Sequence, residues 1–219
     1  MRHLNHILAP ASVTVLSLTL LCGCRFSMLD LGPRKLTTHY FELRTPPGAP
    51  VTGGAWLKSR TLAVDPLQTD SRYDDRFYLV KPGHEVTLSE NRRWVRPPGD
   101  LVTSELQEAV GNSGLCGNVI GAGSSLRPDL RLSGNVVRFD LEEGAGETLT
   151  AVLQLRLTLS LDTGAGTVAG QKIIWQKHLT ATEPVAAGAD PAACAAAMST
   201  ATARVIQELL RDLAALPAP

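Results

Sequence analysis

The chain has 219 residues, 44% of them hydrophobic and 19% charged, with 21 Lys+Arg against 21 Asp+Glu. A net charge of +0 gives no basic field to gather nucleic acid, so a nucleic-acid partner is not expected. The length suits one domain of ordinary size.

Met1 to His6 carries Arg2, and Ile7 to Leu21 then runs 15 residues without a charge, with Pro10 inside. A membrane-spanning helix needs about 20 apolar residues. The layout predicts a secretory signal over residues 1–23. It ends in Leu21-Cys22-Gly23-Cys24. A thioredoxin-like pair needs C-x-x-C near a βαβ unit, and a zinc clip needs two further ligands nearby; C-x-C offers neither. The stretch resembles the bacterial lipobox. That resemblance implies a diacylglycerol on the Cys24 sulfur, cleavage after Gly23 and acylation of the new amine. Cys22 does not fit as acceptor, because Leu20 and Leu21 before it are too bulky for the small-residue positions. An ordinary signal peptide and an uncleaved anchor are the alternatives.

One myristoyl chain binds only marginally, at about 0.8 kcal/mol per buried CH₂, so three chains on one cysteine make attachment effectively permanent. Arg25, rather than aspartate, follows the cysteine. By resemblance to the bacterial sorting rule, this implies export to the outer membrane. Residues 24–38 read as a lipidated tether. Its stretch 25–38 spans at most roughly 45 Å when extended. The folded domain is expected over residues 39–216. Without residues 1–23, 196 residues remain, with 20 basic and 21 acidic side chains.

"YFELR" (40–44) and "RTLAVDPL" (60–67) are short strand candidates. The "TPPGAPVTGG" between them, with three prolines and three glycines, is a loop. Residues 68–76 are polar and turn-like. "FYLVKPGHEVTLSENRRWV" reads as an irregular hairpin around Pro82-Gly83. A helix follows Pro97 and Pro98 and stops at Gly111 or Gly114. Val102, Leu106, Ala109, Val110 and Ser113 share one of its faces. "GNVIGAG" and "LRLSGNVVRFDLEE" are strand-like.

The strongest pattern is "LTAVLQLRLTLSLD" (149–162). Leu149, Ala151, Leu153, Leu155, Leu157, Leu159 and Leu161 alternate with a wetter set from Thr150 to Ser160, which predicts a long strand with one buried face. "DTGAGTVAG" turns the chain into a returning antiparallel strand, "QKIIWQKHLTAT". Asp190 is a candidate N-cap and Pro191 suits the first helical position of a last helix. Its apolar stripe is Cys194, Met198, Ala201, Val205, Leu209, Leu213 and Leu216. Strands, a helix, more strands and a helix predict an α/β (α+β) fold: a mixed, largely antiparallel sheet flanked by two main helices.

Two cysteines remain in the mature chain, Cys116 and Cys194. An oxidising compartment allows a disulfide between them, and the alternative is two buried free thiols. No G-x-S-x-G elbow is present. His39, His84 and His178 are scattered, and no cluster has metal-ligand spacing. Glu142 and Glu143 are adjacent on a strand and point to opposite faces. Gly164-Ala165-Gly166 is followed by a strand, whereas a dinucleotide fingerprint needs a helix there. No enzyme, no metal and no cofactor are expected.

The stretch from Thr61 to Val110 resembles the ABC-type transport auxiliary lipoproteins, the paraquat-inducible protein C-like family. The matching order is a strand near Leu62–Val64, then Arg72, Tyr73 and Arg76, a strand ending in "RRW", then Pro98 and a helix. "LRLSGNVVRFDLE", the long alternating strand, a partner strand with Trp175 and the alanine-rich last helix match in style. "RWVRPPGDL" departs from the commoner tryptophan-small-acidic-proline pattern. The resemblance implies a fold like the TolB amino-terminal, anticodon-binding-like sandwich. It implies an accessory subunit at the periplasmic face of the outer membrane. The partners it implies are a mammalian-cell-entry (MCE) domain protein and its inner-membrane ABC permease and ATPase, and it implies a homo-oligomeric ring. Trp94, Arg96, Pro97 and Pro98, with Trp56, are candidate partner-binding residues, since aromatic and arginine side chains are enriched at interface anchors. The alternative is that Trp94 is core and the prolines start the helix. Rival functions are a lipopolysaccharide-translocon-partner-like assembly lipoprotein and a lipid-carrying module with Val152 in its groove.

Overall fold

A computed structural model describes residues 37–46, 51, 53, 55–146, 148–164, 170–185 and 190–219. The expected signal peptide, Cys24 and nearly all of the expected tether lie outside these residues, as does most of the 163–170 turn. The strands are β1 His39–Phe41, β2 Thr61–Val64, β3 Gln68–Thr69, β4 Arg76–Val80, β5 Val86–Trp94, β6 Asn118–Ile120, β7 Leu130–Glu143, β8 Leu149–Asp162 and β9 Gln171–Val185. The helices are α1 Pro98–Ser113 and α2 Pro191–Ala215.

Strict alternation in β8 makes it the centre of the core. Leu153, Leu155 and Leu157 have no exposed surface and Leu159 has 1%. Burying one such leucine contributes about 1.5–3 kcal/mol. β8 pairs antiparallel with β7 on one side and β9 on the other, over nearly their whole lengths. The far edge of β7 is shared by three short parallel strands: β2 against Leu130–Leu132, β3 against Asn135–Val136 and β4 against Leu141–Glu142. β5 pairs antiparallel with β4, and β1 lies parallel to the end of β5. β6 closes the other side, parallel to β2. The sheet is mixed, and its long pairings are antiparallel.

β7 changes phase in its middle. Leu130, Leu132 and Val136 are buried at even positions, Phe139 and Leu141 at odd ones. A bulge between Val136 and Arg138 absorbs the extra residue and keeps the apolar set on one face. The same bulge sends Arg138, Asp140 and Glu142 to the opposite face. Gly134 stands opposite Leu157 of β8. A Cβ there would collide with the Arg156 carbonyl oxygen.

Both helices cover the leucine face. α1 begins with Pro98 at its first position and stops at Gly114, whose φ of 69° is the left-handed conformation that ends helices. Besides the expected Val102, Leu106 and Val110, it buries Leu101. In α2 the Asp190 carboxylate accepts from the Ala193 N–H at 2.8 Å, as an N-cap does. Alanines 195, 197, 201 and 203 are buried, so the helix lies close on β8 and β9.

The disulfide expected from Cys116 and Cys194 is not formed; both are free thiols. Leu115, next to Cys116, and Ala214 both crowd the position a Gly53 Cβ would take, so Cys116 sits by the last turn of α2. Cys194 sits in the first. A helix rises about 1.5 Å per residue, which puts the two roughly 30 Å apart, and a disulfide needs Cα atoms within about 7 Å.

Candidate docking face

The face of the sheet opposite the helices carries its polar residues. An open pocket of about 470 Å³ lies there over β4 and β7. Its floor is a hydrogen-bonded network. The Tyr73 hydroxyl donates to Asp140 Oδ2 at 2.6 Å, and Arg138 Nη2 donates to Asp140 Oδ1 at 2.7 Å and to Glu142 Oε2 at 3.0 Å. Asp140 is 3% exposed, so its carboxylate depends on these donors. Burial, and then the bond to Asp140, hold the Tyr73 hydroxyl above the ordinary tyrosine range. The hydrogen bond to Asp140 holds the Arg138 guanidinium still more firmly protonated.

The pocket wall is aromatic. Tyr73 and Tyr78 meet edge to face at 4.9 Å, and the Arg72 guanidinium stacks over the Tyr73 ring at 5.1 Å. The Tyr78 hydroxyl donates to Asp74 Oδ1 at 3.1 Å, and Arg76 Nη2 holds Asp74 Oδ2 at 2.7 Å. Burial raises the Asp74 pKa, but the side-chain and backbone hydrogen bonds from Arg76 outweigh it and hold the carboxyl below its ordinary value. His84, also on the wall, has φ 67° and is the only non-glycine residue with positive φ among the described residues. That conformation costs about 1–2 kcal/mol.

These carboxylates are all engaged by arginine or tyrosine, and none stands beside a hydroxyl nucleophile with a free base. Among the described residues, no three His, Cys, Asp or Glu side chains converge to hold a metal ion. What the face offers is an aromatic, charge-patterned surface held in one shape by its own hydrogen bonds. Val152, expected to line a lipid groove, is 3% exposed.

The sequence-predicted partner residues separate. Trp94 is core, correcting its assignment to a docking surface: it is 4% exposed, stacks on Phe77 at 4.5 Å and meets Phe139 edge-on at 5.1 Å. Pro98 is buried at the start of α1, again a structural place. Arg96 and Pro97 are exposed in the β5–α1 turn, where Arg96 Nη1 donates to Ser104 Oγ at 3.0 Å. Trp56 is half-buried, and its indole N–H donates to the Leu216 carbonyl at 3.0 Å, tying the end of α2 to the loop before β2. Cys24 lies outside the described residues. Tyr73, Tyr78, Arg138 and Asp140 were not among the predicted site residues. Arg138 and Asp140 carry one sequence signal, the i, i+2, i+4 run Arg138-Asp140-Glu142, a charged set alternating with Phe139 and Leu141, and Tyr73 carries another, its place in the Arg72, Tyr73, Arg76 stretch of the matching order.

Residues 41–209 match the ABC-type transport auxiliary lipoprotein component family. The chain belongs to that family, and its class is therefore an auxiliary lipoprotein of an ABC-type transporter. None of the curated proteins matches it. Among solved structures, protein XCC0632 from Xanthomonas campestris, of family DUF330, is similar at 21% identity and TM-score 0.65, over 79% of this chain and 93% of that one. An uncharacterized protein is similar at 15% identity and TM-score 0.57, over 81% of this chain and 99% of its own. Both share the fold of a mixed sheet with two helices. A PelC dodecamer from Paraburkholderia phytofirmans is similar at 15% identity and TM-score 0.42, covering 75% of this chain and 96% of that one. Among the described residues, no helix is long and apolar enough to cross a membrane.

Proposed function

We propose that the protein is a non-catalytic docking subunit, held to the periplasmic face of the outer membrane by acyl chains on Cys24. Its partner is the MCE-domain component of an ABC-type lipid transporter, with that component's inner-membrane permease and ATPase. The observation that carries this is the family match over residues 41–209, which begins a short tether after Leu21-Cys22-Gly23-Cys24. The lipid fixes the domain at one membrane, the tether sets its reach, and the sheet's open face supplies the contact. Several copies around one MCE protein belong to the same picture.

Two measurements test the anchor. Mass spectrometry of the native protein is expected to find an amino terminus at Cys24 bearing acyl chains. Cys24→Ala is expected to fold and to leave the outer-membrane fraction. An unmodified sulfur at Cys24, or normal fractionation of the variant, would overturn the proposal.

A further inference from the structure

No further inference is drawn: the strongest candidate, the apolar pocket of about 200 Å³ that Phe77, Leu79, Leu141 and Leu149 line with Cys194 of the first turn of α2, opens at the rim of β5 beside Ser89 and Arg92, and nothing in the structure shows what covers it.

Discussion

The two faces of the β7–β8 ladder are built from the same two strands and obey different rules. On the helix side, Phe139, Leu153, Leu155 and Leu157 are packed with at most 2% exposure, and polar atoms are absent from their side chains. On the other side, Arg138, Asp140, Glu142 and Gln154 line an open pocket, and the one deeply buried carboxylate is held by a tyrosine and an arginine. The first face makes the fold. The second is made rigid by specific hydrogen bonds, which leaves its outer surface free to meet another molecule. The bulge at Val137 is where β7 is re-aimed to serve both.

The difference predicts a graded response to mutation. Leu157→Ala is expected to cost the most, about 2–5 kcal/mol by chemical denaturation, because the removed atoms leave a cavity among fully buried neighbours. A cost below that of any pocket substitution would erase the distinction between the faces. Asp140→Ala comes next, at about 1–3 kcal/mol, since it strands the Tyr73 hydroxyl and leaves the Arg138 guanidinium with Glu142 alone. Replacing Tyr73 with phenylalanine as well is expected to recover part of that loss, as the two residues share one bond.

A pH series sharpens the same point. The Tyr73 pKa is raised by folding, so its contribution is complete below the unfolded tyrosine value of about 10. As pH rises beyond that value the unfolded chain loses its proton first, and stability falls. Tyr73→Phe is expected to flatten this alkaline decline; an unchanged slope would show that Tyr73 is not the group responsible. Burial pushes the Cys116 thiol up to about 11. Alkylation of the native protein at pH 8 is therefore expected to be slow there. Alkylation after unfolding without reductant is expected to label both Cys116 and Cys194, and a bridged pair would contradict the separation that α2 imposes. Arg96→Ala, on the exposed turn, is expected to change stability by less than about 0.5 kcal/mol.

Much of this architecture was legible in the sequence because its strongest signals are local. The strict alternation of β8 gave its length and its buried face, and Asp190-Pro191 marked the start of α2 to the residue. The three short strands beside β7 were harder. β3 is two residues, Gln68–Thr69, and exists because β7 is there to pair with it, which no local pattern records. Trp94 misled because an indole suits an interface and a core equally well, and its place depended on Phe77 and Phe139, which are distant from one another in the chain. The Tyr73–Asp140 bond joins positions 67 residues apart, and Tyr73 sits in a stretch whose polar composition reads as turn. Cys116 and Cys194 looked like a pair because compartment chemistry allowed one; the length of a single helix decides against it.

The central claim is that a lipid-held adaptor meets a transporter through its folded domain. The most direct measurement is affinity purification of the native lipidated protein from detergent-solubilised envelopes, with the bound proteins identified by mass spectrometry. An MCE-domain protein accompanied by an ABC permease and ATPase is the predicted result. Recovery of a large outer-membrane β-barrel in their place, or of no transporter component at all, would contradict the account.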